Sequence, residues 1–222
     1  MNRLFVSRDL GEESPLVDLA KAHHLHCTAQ PLIEFSAVEF KSIPDCEWVF
    51  FYSKRGVQFF FQGLNQLDLK IQAKIAVMGL GTLNALKPFG KSADFAGNGH
   101  PQQVAEAFAI LARGQRVLFP RAQASRKSIQ TLLQNDITVK DLVVYNNHYR
   151  NDFELPKMDF LVFTSPMNAV AYFNKYPLFP GQKVFAIGQT TAQQLYDLGI
   201  SNVYISDHPS EKALAKLLKS HL

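Results

Sequence analysis

"AVMGLGTLNAL", residues 76–86, places two glycines directly after a short apolar run that predicts a buried strand. A dinucleotide-binding turn has the pattern Gly-x-Gly-x-x-Gly, in which the third glycine lets the helix pack closely on the strand. In this stretch the third position is Asn84. The segment therefore predicts a strand–turn–helix unit of an α/β domain, while NAD binding is disfavoured.

The same turn occurs in the second half of the chain, where AIGQTTAQQLYDLG (186–199) matches VMGLGTLNALKPFG (77–90). In both segments a glycine is followed three residues later by a threonine: Gly79 and Thr82, Gly188 and Thr191. Gly81 of the first segment is Thr190 in the second. What recurs is strand, Gly-x-x-Thr, helix, in which the threonine can cap the helix and free N–H groups can bind an anion.

Three further pairs of segments match in the same order, each separated by about 110 residues. They are NRLFVSR (2–8) with RVLFPR (116–121), FYSKRGVQFFF (51–61) with FTSPMNAVAYF (163–173), and GHPQQVAEAFA (99–109) with DHPSEKALAKL (207–217). We interpret the chain as an ancient internal duplication of roughly residues 3–113 and 116–222.

Short apolar runs alternate with amphipathic stretches along the whole chain, which favours parallel sheets flanked by helices. The predicted strands are Leu4–Ser7, Trp48–Tyr52, Lys74–Met78, Ala93–Ala96, Arg116–Phe119, Phe160–Thr164, Lys183–Ile187 and Val203–Ile205. Gly90, Gly114 and Gly199 stand where helices are expected to end. Proline in the two His-Pro pairs, at 100–101 and 208–209, is expected to begin a helix.

Composition limits the classes of function. The 222 residues, 47% of them hydrophobic, suffice for one large or two small domains. A net charge of +4 without a basic run fits either an ordinary surface or a preference for an anionic small ligand, and it disfavours nucleic acid. Cys27 and Cys46 support neither a disulfide framework nor a metal site, and His23–His26 beside Cys27 is not expected to bind one. No apolar run is long enough to span a membrane, so we expect a soluble protein. We also expect a cytoplasmic monomer without cofactors.

The segments LVFTSPMNAV (161–170), AIGQTTAQQLYDLGI (186–200), LFPRAQASR (118–126) and the tyrosine of LVVYNNHY (142–149) resemble the uroporphyrinogen-III synthase family. The resemblance runs over nearly the whole chain. Two departures concern the first half: Leu83 stands where the family often has alanine, and FYSKRGV replaces an FTS followed by a small-residue turn.

The resemblance implies two small parallel-sheet α/β domains, related by the internal duplication and joined by a two-stranded linker. Domain 1 would comprise residues 1–34 and 148–222, and domain 2 residues 38–143. Residues 31–38 and 142–151 would cross between them as extended strands, which their β-branched and aromatic content permits.

The reaction that the resemblance implies is the closure of hydroxymethylbilane, a linear tetrapyrrole polycarboxylate, to uroporphyrinogen III. Water leaves, ring D is inverted through a spiro intermediate, and the substrate would be handed over transiently by hydroxymethylbilane synthase. By matching the family's linker tyrosine, Tyr145 would donate a proton to the departing hydroxyl. A packing aromatic between the domains is the alternative for Tyr145.

The other candidate residues are hydroxyls, turn residues and cations near strand ends, which suit a polycarboxylate. The predicted substrate-binding set is Arg8, Ser53, Lys54, Gly79, Thr82, Arg121, Arg126, Thr164, Ser165, Pro166, Gly188, Thr190 and Thr191. Each hydroxyl taken singly also fits a helix cap, and Arg8 and Arg121 also fit surface cations. A non-catalytic two-domain module that binds or senses an anionic metabolite is the alternative function.

Overall fold

The computed structural model of the chain describes residues 1–125 and 127–222. Its strands are β1 (Arg3–Val6), β2 (His26–Ala29), β3 (Ile33–Ala37), β4 (Trp48–Phe51), β5 (Lys74–Val77), β6 (Phe95–Ala96), β7 (Arg116–Ala122), β8 (Thr138–Tyr149), β9 (Phe160–Phe163), β10 (Lys183–Ala186) and β11 (Val203–Ile205). Its helices are α1 (Pro15–Ala22), α2 (Lys54–Gln66), α3 (Leu80–Asn84), α4 (Pro101–Ala112), α5 (Ser128–Leu133), α6 (Pro166–Phe173), α7 (Gln189–Asp197) and α8 (Glu211–Lys219), with a 3₁₀ turn at Lys87–Phe89.

The described residues form two compact units. Unit 1 contains Met1–Glu34 and His148–Leu222, and unit 2 contains Phe35–Asn147. The boundaries between them therefore fall inside β3 and β8. Both units are built on parallel sheets with helices packed against them, so the predicted α/β class with parallel sheets is confirmed.

Unit 1 contains a five-stranded parallel sheet in the order β11-β10-β9-β1-β2. Successive residues of a strand point to opposite faces, and β1 follows this rule. Phe5 packs into a core with α6 and α7, whereas Leu4 and Val6 pack into a second core with α1 and α8. Because β9 and β10 are paired in parallel, the turns that follow them lie side by side at one edge of the sheet.

Unit 2 contains a six-stranded sheet in the order β3-β8-β7-β4-β5-β6. Its strand β4 also divides between two cores. Trp48 and Phe50 pack with α4 and α5, while Val49 and Phe51 pack with α2. Because β4 and β5 are paired in parallel, the turns after them are neighbours, as those after β9 and β10 are in unit 1.

The glycines expected at helix ends have left-handed backbone conformations. Gly90, Gly114 and Gly199 have φ of 63°, 73° and 82°. Glycine adopts this region without the Cβ clash that other residues meet, which confirms these three positions as helix stops.

Three boundary expectations were wrong, and the first is the strand expected at Ala93–Ala96, which covers only Phe95–Ala96. The strand expected at Arg116–Phe119 continues to Ala122, because β8 pairs with it along its full length. Of the two His-Pro pairs, only Pro101 begins a helix. The second helix begins at Glu211, because the Ser210 side chain accepts a hydrogen bond from the Ala213 amide and so supplies the cap.

No described helix combines the length and the apolar character needed to cross a membrane.

Candidate active site

The carboxyl end of β9 carries two of the predicted hydroxyl residues. Ser165 is the N-cap of α6, and its Oγ accepts hydrogen bonds from the Asn168 amide at 3.3 Å and from Asn168 Nδ2 at 2.7 Å. Pro166 is the first residue of that helix. Asn168 Oδ1 in turn accepts from the Leu32 amide at 2.7 Å. The serine thus begins a helix whose first turn is held by a buried amide side chain.

Thr164 connects two neighbouring strand ends of unit 1. Its amide donates to Ser7 Oγ at 2.9 Å, and its hydroxyl donates to the Ser7 carbonyl at 3.2 Å. The ends of β9 and β1 are therefore linked by a side chain that sequence reasoning assigned to the substrate.

The turn after β10 leaves a helix N-terminus open. Gly188 is the N-cap of α7 and provides no side-chain cap. Its carbonyl accepts from the Thr191 and Ala192 amides at 3.1 and 3.0 Å. Within residues 1–125 and 127–222, no hydrogen bond engages the amides of Gln189 and Thr190. These two donors and the positive end of the helix dipole suit an anion.

A cavity of about 600 Å³ lies against this helix start. Its wall includes Gly188, Thr190, Thr191, Ser206, Asp207 and Pro209. Thr191 is only 3% exposed. The cavity thus offers N–H and O–H donors from α7 together with one carboxylate, from Asp207. A ligand carrying both anionic groups and N–H donors would match this combination.

Arg8 follows β1 in unit 1 and already has a carboxylate partner. Its Nη1 lies 3.2 Å from Glu211 Oε1, and the other oxygen of Glu211 accepts from Ser14 Oγ at 2.6 Å. The Arg8 side chain is 43% exposed, so the pair is in contact with water. Its role in substrate binding stays a prediction.

In unit 2 the turn after β4 brings Ser53 to the N-cap of α2, where its Oγ accepts from the Gly56 amide at 2.9 Å. The helix start lies very close to β7 at this point. A Cβ added to Gly56 would lie 2.8 Å from the Pro120 carbonyl oxygen, closer than real Cβ contacts. Glycine at 56 therefore permits the approach that places Ser53 at this edge of the sheet.

Tyr145 lies on β8 next to this helix start. Its hydroxyl is 3.5 Å from Ser53 Oγ, and its ring stacks on Phe59 with centroids 5.3 Å apart. The residue is 7% exposed. The register between β7 and β8 shifts just before the pair Ala122–Tyr145, so an irregularity in the ladder sets where this ring points.

The turn after β5 is the unit 2 counterpart of the open turn in unit 1. Gly79 is the N-cap of α3 without a side-chain cap, and Thr82 is 7% exposed. The Lys54 side chain passes over this turn: a Cβ on Gly81 would lie 3.0 Å from Lys54 Cε. Unit 2 therefore brings Ser53, Lys54, the α3 turn and Tyr145 to one edge of its sheet. The helix itself has only five residues.

Arg121 differs from the free cation that the sequence suggested. Its Nε lies 3.0 Å from Asp141 Oδ1, and its Nη1 donates to the Ala122 carbonyl at 2.8 Å. Lys127 Nζ lies 2.8 Å from the other Asp141 oxygen. Burial alone would raise the pKa of Asp141, but hydrogen bonds from Lys127 and Arg121 more than offset it and the pKa is lowered. Arg126, also predicted to bind substrate, lies outside the described residues.

Sequence reasoning did not single out Tyr52. Its hydroxyl lies 2.6 Å from Ser125 Oγ, and burial raises the pKa of the phenol. Tyr52 occupies the position that Thr164 has in the matching segment, and both side chains connect neighbouring chain segments after strands. The match between the two sequence segments therefore contained a signal for this hydrogen bond.

No group of three or more His, Cys, Asp or Glu residues able to hold a metal ion occurs in the part of the chain that the structure describes.

The family model for uroporphyrinogen-III synthase HemD matches residues 14–216. The chain belongs to this family. Uroporphyrinogen-III synthases are enzymes of haem biosynthesis.

A porphyrin biosynthesis protein HemD from Ruminiclostridium josui is 25% identical over 221 residues, which cover 86% of this chain and 44% of the relative. The chain therefore spans about half the length of this curated protein.

Two solved structures of the family have the same fold. The uroporphyrinogen-III synthetase of Helicobacter pylori 26695 superimposes with a TM-score of 0.77 at 22% identity, covering 100% of this chain and 99% of that one. A mutant uroporphyrinogen III synthase of the extremely thermophilic bacterium Thermus thermophilus gives a TM-score of 0.61 at 17% identity, covering 100% and 97%. At these identities the likeness concerns the fold.

Proposed function

We propose that this chain is a uroporphyrinogen-III synthase that closes hydroxymethylbilane to uroporphyrinogen III with inversion of ring D and loss of water. The observation that carries the proposal is the open start of α7, where free amides and Thr191 border a cavity of about 600 Å³. Membership of the family supplies the reaction, and this geometry supplies a place for its polyanionic substrate.

The hydrogen-bond donors and acceptors that the two units present also support the proposal. Acetate and propionate groups need N–H donors, hydroxyls and cations, whereas pyrrole N–H groups need acceptors. We assign the carboxylates to the amides of α7, Thr190 and Thr191, and a pyrrole N–H to Asp207. Ser53, Lys54, Gly79, Thr82, Ser165, Pro166 and Gly188 belong to the same proposed set, as do Arg8, Arg121, Arg126 and Thr164.

Tyr145 is the proposed proton donor. Breaking the C–O bond of the hydroxymethyl group leaves a hydroxide equivalent, which departs as water when it takes a proton from the phenol. Most of the remaining work is conformational: the flexible chain must be held so that closure with inversion is faster than direct closure. This division explains why an active site can be built without a catalytic triad.

The organisation of the chain belongs to the same proposal. Its two halves would derive from one duplicated ancestor, with residues 31–38 and 142–151 as the linking strands. Transient delivery of substrate by hydroxymethylbilane synthase, a cytoplasmic location and a monomeric state complete it.

The test is a coupled assay. Porphobilinogen is converted to hydroxymethylbilane in place, with and without the protein, and the oxidised products are separated into isomers I and III. We expect a shift from isomer I to mainly isomer III. Persistent isomer I in the presence of folded protein, together with saturable binding of the bilane, would instead assign the chain as a non-catalytic binding module.

A further inference from the structure

Phe35 is an aromatic residue on β3 that is 37% exposed. Exposure of this size would normally mark an ordinary surface position. Its neighbours make it different, because its ring lies 6.1 Å from the ring of Tyr145, centroid to centroid, at an interplanar angle of 55°. Phe35 is therefore the exposed member of an aromatic group that contains the proposed proton donor.

Phe59 completes the contacts of that ring. It is stacked on Tyr145 at 5.3 Å with an interplanar angle of 17°. Contact with two rings at different angles restricts both the tilt and the sliding of the phenol. The hydroxyl is then held beside Ser53 Oγ, at 3.5 Å.

Arg55 fixes Phe35 from the first turn of α2. Its guanidinium carbon lies 4.4 Å from the centroid of the Phe35 ring, and its Nη1 donates to Gln58 Oε1 at 3.2 Å. A cation at this distance is attracted to an aromatic face. The helix that carries Ser53 thus also restrains the ring that contacts Tyr145.

We propose that Phe35 is a positioning residue that holds the Tyr145 ring so that its hydroxyl stays beside Ser53. The proposal rests on the proposed function, since it gives that hydroxyl a chemical task. It predicts that replacing Phe35 lowers turnover only when the Tyr145 hydroxyl is present. Ordinary packing at a 37% exposed position would not produce this dependence.

The kinetic test is a double-mutant cycle on Phe35 and Tyr145. Phe35→Leu removes the ring but keeps an apolar side chain, and we expect kcat to fall roughly three- to tenfold while KM changes little. In the Tyr145→Phe background the same substitution should have no further effect on kcat. Phe35→Tyr, which restores an aromatic ring, should recover most of the activity.

The matched control is Phe179→Leu in unit 1. Phe179 is also 37% exposed, and Lys157 Nζ lies 6.0 Å from its ring centroid. Its substitution should leave kcat and KM unchanged. Equal losses in the two Phe→Leu variants, or a Phe35→Leu effect that persists in full without the Tyr145 hydroxyl, would overturn the positioning role.

A second readout does not depend on catalysis. Nitration of tyrosines by tetranitromethane, followed by peptide mass spectrometry, reports access to the Tyr145 ring. We expect faster nitration of Tyr145 in Phe35→Leu and an unchanged rate in Phe179→Leu. Wild-type protein that yields only isomer I would defeat the proposed function, whereas unchanged Tyr145 nitration in Phe35→Leu would defeat the restraint itself.

Discussion

Both units place polar residues at the carboxyl ends of neighbouring strands, but the side chains differ. In unit 1 the nine-residue helix α7 has Gly188 as its N-cap and a cavity beside its start, while in unit 2 the helix after Gly79 has only five residues. Unit 2 has instead a phenol, Tyr145, held by aromatic rings beside the Ser53 cap. Under the proposed function, this difference assigns anion binding to unit 1 and proton transfer to unit 2.

The largest effect should come from the phenol. Tyr145→Phe keeps the ring contacts but removes the proton donor, so kcat should fall about 100-fold with little change in KM. Thermal unfolding should be nearly unchanged, because the lost hydrogen bond is a long one. The control is Tyr149→Phe, a 42% exposed tyrosine on the same strand. Near-normal turnover of Tyr145→Phe would exclude Tyr145 as the proton donor. It would also contradict the assignment of proton transfer to unit 2.

The next effect should separate the two glycine turns. Thr191→Val keeps the shape but removes a hydroxyl at the mouth of a full-length helix, and we expect a roughly tenfold rise in KM with kcat retained. Thr82→Val, at the start of a five-residue helix, should raise KM less, by about twofold. Steady-state kinetics on both variants measure this directly, and equal effects would contradict the proposed difference between the two turns.

The hydrogen bonds made by Tyr52, after β4, and Thr164, after β9, should have similar effects on stability. Tyr52→Phe removes a hydrogen bond to Ser125, and Thr164→Val removes one to the Ser7 carbonyl. We expect each to lower the free energy of unfolding by about 1 kcal/mol, measured by urea denaturation. Ser125→Ala also removes the hydrogen bond from the Lys127 amide to Ser125 Oγ, so it should lose at least as much as Tyr52→Phe, and the double variant should lose no more than Ser125→Ala alone. Additive losses would exclude the Tyr52–Ser125 link.

The smallest effect should arise at the other edge of the unit 2 sheet. Hydrogen bonds from Arg116 hold the pKa of Glu47 at about 2, below its ordinary 4.5. A carboxylate with a depressed pKa stabilises the fold above its unfolded pKa and loses that contribution as the pH falls toward the folded value. The difference in unfolding free energy between wild type and Glu47→Gln should therefore be largest at neutral pH and shrink between about pH 4.5 and 2.

The control for this experiment is Glu12→Gln, which alters an exposed glutamate of unit 1. Activity at neutral pH should be unchanged in Glu47→Gln, since the residue lies at the amino ends of the strands. A difference that stays constant with pH would contradict the assigned pKa.

Local signals in the sequence were sufficient for much of the fold. The apolar run at Trp48–Tyr52 predicted β4, whose four residues are all buried. Gly199 predicted a helix end, and its φ is 82°. The start of α8 was missed for a local reason as well: the Ser210 cap outweighs the neighbouring proline. The aligned turns also located the candidate site at the strand ends.

Partners distant in sequence account for what could not be predicted. Arg8 and Arg121 looked equivalent, but Glu211 and Asp141, which pair with them, lie 203 and 20 residues along the chain. Likewise, the contact of Phe35 with Tyr145 depends on strand register and a ladder irregularity, which no periodicity encodes. Burial and pairing of a side chain are properties of the assembled sheet.

The measurement that tests the central claim most directly is the isomer ratio of the product as a function of protein concentration. Hydroxymethylbilane generated in place should give mainly isomer I without the protein and a rising fraction of isomer III as wild-type protein is added. Tyr145→Phe at the same concentrations should lag far behind. An isomer ratio that stays at the uncatalysed value at every concentration of folded wild-type protein would contradict the account.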